Sequence, residues 1–190
     1  MENNKNRYAF KVISFDTIKE GYENHKNFIK NHYVINENIR NIFIKDIAPL
    51  KNDIFFDSLR KDYENFDVWF DKCVAEERKG YVFFVENKLS ALLIYNKESK
   101  DKHLLPGIDS DVLKICTFKV SSNISKKQVG DNFLTIMLKL CLNMNIQNMY
   151  LTVFSKHKSL INLISKDRFI QIGENEQGEL IFVKNISDGI

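Results

Sequence analysis

The chain predicts an α/β domain, a mixed, twisted sheet of about six or seven strands with helices on both faces. Three observations predict it. Apolar runs of strand length alternate with segments whose apolar residues recur at steps of three and four. Turn signals at Glu86-Asn87-Lys88 and Glu174–Gly178 each separate two such runs, as in hairpins. Met149–Phe154 is a nearly continuous apolar run, the pattern of a strand covered on both faces.

Taken in order, Tyr8–Phe15 alternates in part and predicts a strand, and Asp16-Thr17 caps a helix whose buried positions are Tyr22, Phe28 and Ile29. Residues 33–38 form a polar break. Residues 1–38 therefore read as an N-terminal extension and 39–187 as the main domain. Ile39–Ile47 fits a strand, although its mixed spacing also fits a helix. From Asp53, the residues Phe55, Leu59, Tyr63, Phe66, Phe70 and Cys73 recur at helical steps, with a break at Glu64-Asn65. Tyr81–Val85 and Leu89–Tyr95 are strands, followed by a charged loop with a Pro106-Gly107 turn. Leu113–Ser121 is the next strand. A helix from Gly130 to Asn143 carries Phe133, Met137, Leu140, Cys141 and Met144 on one face. Strand 149–154, a short helix from His157 to Lys166 and a last hairpin (169–172 and 180–183) complete the order.

At 190 residues with 44% hydrophobic and 28% charged content, the chain is long enough for one sizeable core. Its net charge of +3, without a dense Lys/Arg block, is no argument for nucleic acid. Cys73, Cys116 and Cys141 are widely spaced and lie in apolar runs, so they read as buried thiols rather than disulfides or metal ligands. The polar start has no apolar leader region, and no apolar stretch reaches the length of a membrane span. The expectation is a cytoplasmic protein with no membrane partner and no metal.

One stretch carries chemistry. A strand runs into the polar, basic loop Ser122–Gln128, then Gly130, then a helix N-terminus. Unpaired backbone N–H groups, the positive helix end and a glycine that admits close approach together suit a phosphate. Lys126 and Lys127 ahead of Gly130 favour that use over a merely solvated loop.

This stretch resembles the GCN5-related N-acetyltransferase (GNAT) superfamily. In that family a strand ending in Val leads, ten residues on, to the last glycine of an Arg-x-x-Gly-x-Gly/Ala loop. Val120 and Gly130 stand at that spacing, Val129 fills the aliphatic position, and Phe133-Leu134 match the apolar pair that begins the helix. Arg168-Phe169 occupies the place of the family's Gly-Phe dipeptide. The run from Phe55 to Phe70 also resembles a subgroup found fused to PIN-like domains. The resemblance implies acetyl-CoA as acyl donor, its arm paired with Phe118, Lys119 and Val120. Its pyrophosphate would be held by Ser125, Lys126, Lys127, Gln128, Val129, Gly130 and Asp131, with His157 near the arm. It also implies direct attack of a neutral amine on the thioester, the oxyanion held by strand N–H groups.

Four departures stand out. The family's loop Arg and first Gly are Ser125 and Gln128 here, with Lys126 and Lys127 able to supply charge. The family's helix-start Asn is His157, and the Tyr that protonates the leaving thiolate is Ile164. A proton donor must then come from Ser155, Ser159, His157 or Tyr150, and no acidic residue lies on strand 113–121 to serve as base. Asp57 and Asp62 read as solvated helix carboxylates, and Cys116 as core rather than nucleophile. The implied function is N-acetylation of a small-molecule, peptide or aminoacyl amine. The alternative is an acyl-CoA-binding regulatory, or toxin- or nucleic-acid-associated, module with weak or lost catalysis. Nucleic acid as a partner and homodimer formation are left open.

Overall fold

The computed structural model describes residues 38–103, 105–122, 124 and 128–189. The strand and helix predicted within 8–29, the role of the N-terminal extension, and Ser125, Lys126 and Lys127 lie outside them. A seven-stranded sheet organises the rest: β1 (Ile39–Phe43), β2 (Lys79–Val85), β3 (Lys88–Glu98), β4 (Val112–Val120), β5 (Asn148–Phe154), β6 (Ile170–Glu174) and β7 (Glu179–Asn185). The spatial order is β1-β2-β3-β4-β5-β7-β6. All neighbours are antiparallel except β4 and β5, which are parallel. Helices α1 (Asp57–Asp62), α2 (Phe66–Ala75), α3 (Val129–Met144) and α4 (Lys158–Lys166) complete the fold.

The segment that begins at Ile39 divides where the sequence left strand and helix open. The strand stops at Phe43 and a 3₁₀ helix occupies Ile44–Leu50. Ile44 and Ile47 are both buried, a three-residue step suited to a 3₁₀ turn, and the Asp46 carboxylate accepts the Phe43 N–H. The helical region opens as predicted, with the Asp53 side chain accepting the Phe55 N–H at 2.7 Å. It breaks at residues 63–65. Arg60 fastens the two helices together, its guanidinium on Asp57 at the start of α1 and on Asp67 in α2.

The β2–β3 turn is two residues, Glu86 and Asn87, both at positive φ. Strand β3 is buried without interruption from Leu89 to Tyr95, so both faces of the sheet are covered. One face carries Phe56, Phe66 and Phe70, with Leu92 and Ile94 beneath them. Adjacent side chains on β4 identify what lies on each face. Phe118 meets Phe133 of α3 edge-on at 5.7 Å, and Lys119 points the other way, to the Ser58 hydroxyl of α1. Helix α3 and helix α1 therefore lie on opposite faces. Met144, predicted on the apolar face of α3, is exposed in its last turn.

Gly80 shows how close this packing is. A Cβ there would stand 2.5 Å from the Leu93 carbonyl oxygen and 3.0 Å from Ile44. Gly80→Ala should lower unfolding free energy by about 1–3 kcal/mol in denaturant titration. Gly173→Ala, which meets nothing within 4 Å, should change it by less than about 0.5 kcal/mol.

Candidate active site

Strands β4 and β5 pair only from Val112 opposite Asn148 to Ile115 opposite Leu151. Beyond that, β4 continues to Val120 bonded to β3 alone, and β5 continues to Phe154 bonded to β7 alone. At the parting point β4 carries a bulge. Ile94 pairs with Thr117 but Tyr95 with Ile115, leaving Cys116 as the extra residue. The result is a slot through the sheet with backbone edges facing it on both sides. It opens into a cleft of about 1240 Å³.

On the α3 face the slot ends at the N-terminus of that helix. The Asn132 N–H donates to the Gln128 carbonyl, so the N–H groups of Val129, Gly130 and Asp131 precede the first bond of the helix ladder. Val129 is buried and anchors the turn. Gln128 takes the left-handed conformation, φ +55°, at the position where the resemblance expects glycine. A second such replacement repeats the pattern. Arg168, standing for the glycine of Gly-Phe, has φ +63°. It closes α4 through the bonds Arg168 N–H to Ser165 and Phe169 N–H to Ile164. Gly130 is close to α4, since a Cβ would meet the Leu163 Cδ2 at 2.8 Å.

Of the residues singled out from sequence, Phe118, Lys119, Val120, Gln128, Gly130, Asp131 and His157 line this one cleft. The other candidates are placed differently. Ser155 is exposed in the turn after β5, outside the cleft wall, whereas Ser159 lines it. The Tyr150 hydroxyl donates to Glu98 at 2.5 Å, and burial, reinforced by that bond, pushes it above the ordinary tyrosine range. Its proton is held, not offered. Ile164 is fully buried and is not part of the cleft wall, which α4 forms with Ser159, Leu160, Asn162, Leu163 and Lys166. Burial pushes the Cys116 thiol up to about 12, consistent with an inert side chain.

Asp62 differs most from its sequence reading as a solvated carboxylate. Its side chain is 9% exposed and accepts from Lys156 at 2.5 Å and from His157 Nε2 at 2.7 Å. Burial works to raise its pKa, but the bonds from Lys156 and His157 outweigh that and hold it below the ordinary value. These contacts tie the end of α1 to the start of α4. Lys119 lies beside Ser58 with its ring neighbour Phe55, and burial lowers its pKa.

Two further carboxylates line the cleft on the α1 face. Glu98, on β3, is 15% exposed, accepts from Tyr150 and lies 3.5 Å from the Lys114 ammonium. Glu179, at the start of β7, is 7% exposed and accepts from the Tyr63 hydroxyl at 2.6 Å and from Asn175 at 2.9 Å. Sequence reasoning passed over both, because each comes from a strand other than β4 and only the sheet register brings it to the slot. Among the described residues there is no His/Cys/Asp/Glu group suited to a metal ion, and no helix is long and apolar enough to cross a membrane.

Comparison with known proteins gives the fold a context. No protein-family model and no curated protein sequence matches the chain. Solved structures do match. Ard1 from Thermoplasma volcanium superposes with a TM-score of 0.55 at 18% identity, covering 77% of this chain and 95% of that one. The PaiA N-acetyltransferase from Thermoplasma acidophilum, in complex with coenzyme A, gives 0.56 at 15%, covering 80% and 99%. Arabidopsis thaliana Naa50, in complex with the bisubstrate analogue CoA-Ac-MVNAL, gives 0.57 at 18%, covering 78% and 99%.

The Asp62 ties generate a pH-dependent prediction. A carboxylate whose pKa is depressed on folding adds stability that is complete above its ordinary value of 3.8 and is lost as pH falls through its folded value. The stability difference between the wild-type protein and Asp62→Asn should therefore shrink in acid below that value. Denaturant titrations of both proteins across this range read it directly.

Proposed function

On this N-acetyltransferase fold, we propose that the chain is an acetyl-CoA-dependent N-acetyltransferase acting on an amine acceptor. The observation that carries the reading is the slot. Two parallel strands that part after four paired residues present open backbone edges, and a helix N-terminus with free N–H groups lies at one end. An arm rich in amides can pair with an open edge as a surrogate strand, and a pyrophosphate suits the helix end. The cleft volume of about 1240 Å³ leaves room for a donor on the α3 face and an acceptor on the α1 face.

In this reading the Phe118–Val120 edge receives the arm and the N–H groups of Val129, Gly130 and Asp131 receive the pyrophosphate. Ser125, Lys126 and Lys127 would add side-chain contacts and positive charge from the loop. When bound, acetyl-CoA supplies the acyl carbon and a thiolate leaving group. The acceptor arrives as an ammonium and must lose a proton to become a nucleophile. Glu98 is suited to take it. It lies on the α1 face in the cleft wall, opposite Val112 at the closed end of the β4–β5 pairing, is largely shielded from water, and is oriented by Tyr150 and Lys114. His157, fixed by Asp62, lines the opposite wall and can donate to the departing sulfur.

A binding module without turnover is the second reading, favoured by one observation. Helix α4 presents Ser159, Leu160, Asn162, Leu163 and Lys166 to the cleft, and no tyrosine.

Transfer to a panel of primary amines, followed by release of the CoA thiol, tests between them. The transferase reading expects saturable thiol release. It also expects Glu98→Gln to lower kcat/KM roughly a hundredfold or more, the usual worth of a general base, while leaving CoA affinity unchanged. Tight CoA binding with no thiol release on any amine would favour the binding module.

A further inference from the structure

We infer that the Lys119 side chain is an acylation site of the protein itself, taking the acyl group of a donor bound in the slot. The inference rests on the transferase reading for the donor, and on the place and surroundings of one amine for the acceptor. Strand β4 turns Lys119 to the α1 face, opposite Leu92, and it lines the cleft from the same strand whose edge would receive the arm. Its Nζ meets the Ser58 hydroxyl and lies 4.9 Å from the centre of the Phe55 ring. Among the described residues, no carboxylate forms an ion pair with it. The neighbouring cations differ. Arg78 is held by Glu76, Lys114 stands beside Glu98, and Lys156 is bonded to Asp62. Asp57, the other carboxylate whose charge reaches Lys119, is paired with Arg60. Lys158 and Lys166 also line the cleft but are exposed to water.

A lysine is nucleophilic only as the neutral amine, and removal from water favours that form. Lys119 is half-buried beside α1, and burial lowers its pKa against the opposing pull of Asp62 and Asp57. Reach is set by the strand. Thr117 lies two residues nearer the parting point and shares the face of Lys119, since their partners Ile94 and Leu92 pack into one core cluster. Two residues of strand span about 7 Å, a distance that a flexible four-carbon stem can bridge. With the pyrophosphate at the start of α3, the arm would run along 118–120 and leave the thioester near Thr117. The neutral Nζ then attacks the acyl carbon. A C–N bond forms as the C–S bond breaks, and CoA departs as a thiol with the proton that Nζ sheds. The product is an uncharged amide on the acceptor side of the slot.

The test is peptide mass spectrometry of the full chain, unmodified at the start, after incubation with acetyl-CoA and no added amine. Lys119 should gain an acetyl group roughly tenfold or more faster than Lys158 and Lys166, because a bound donor is held beside it. The rate per molecule should not depend on protein concentration, and thiol release should stop at one equivalent. Desulfo-CoA, which can fill the slot but carries no acyl group, should suppress modification of Lys119 and leave the exposed lysines unaffected. Acetic anhydride, which needs no slot, should show no such preference for Lys119. Lys119→Arg, which keeps the charge, should lose the equivalent of thiol. Modification no faster than at the exposed lysines, or unchanged by desulfo-CoA, or faster per molecule at higher protein concentration, overturns the assignment. Calorimetric titration with CoA separates this claim from the reading beneath it. CoA binding by a protein that leaves Lys119 unmodified sinks the acylation site alone, and no CoA binding sinks the transferase reading with it.

Discussion

The site depends on one constraint: β4 and β5 are held together for four residues and then kept apart. Backbone N–H and C=O groups are obligatory hydrogen-bonding groups, and an edge that loses its partner must be satisfied by water or by a ligand. Here β4 is held on its other side by β3, and β5 by β7, so neither strand can close the gap without breaking an existing ladder. The Cys116 bulge adds a local bend where the strands separate. Below that point the apolar residues Val112, Leu113 and Ile115 are buried and hold the sheet closed. The slot is a consequence of strand pairing, and its walls are as rigid as the sheet.

Charge in the cleft follows from the same layout. Helix α1 and the turn after β5 reach over the slot on one face and meet through Asp62, Lys156 and His157. A carboxylate with so little exposure is tolerated there because two donors satisfy it. Glu98 and Glu179 lie on that face too, each bonded to a tyrosine hydroxyl. The opposite face offers backbone donors at the start of α3. An anionic group and a cationic group thus find complementary surroundings at different ends of one cleft, which is the arrangement that transfer from a phosphate-bearing donor to an amine requires.

The sheet was legible wherever hydrophobic period and turn chemistry agreed. Asn87 in the β2–β3 turn and the continuous apolar run of β5 are examples. The spacing from Val120 to Gly130 located the strand, loop and helix that bound the slot. Gln128 and Arg168 are instructive in another way. Each replaces an expected glycine and each adopts the left-handed conformation that glycine favours, so the backbone kept a shape that the residue type conceals. Illegible features were those made by long-range register. Nothing near Asp62 in the chain announces His157, which is 95 residues away, and nothing near Tyr63 announces Glu179, which is 116 residues away. Ile39–Ile47 was ambiguous between strand and helix for a local reason, because a short strand gives way within it to a 3₁₀ helix and neither period runs through.

Hydrogen exchange of the full chain with and without CoA addresses the central claim most directly, because it reads the backbone groups on which that claim rests. If the slot receives the donor as a surrogate strand, CoA should slow exchange of slot-facing amides within 116–120 and of those at 129–131, with the β2–β3 hairpin unchanged. Saturable CoA binding that leaves both segments exchanging as before would contradict it, as would the absence of binding by a folded protein.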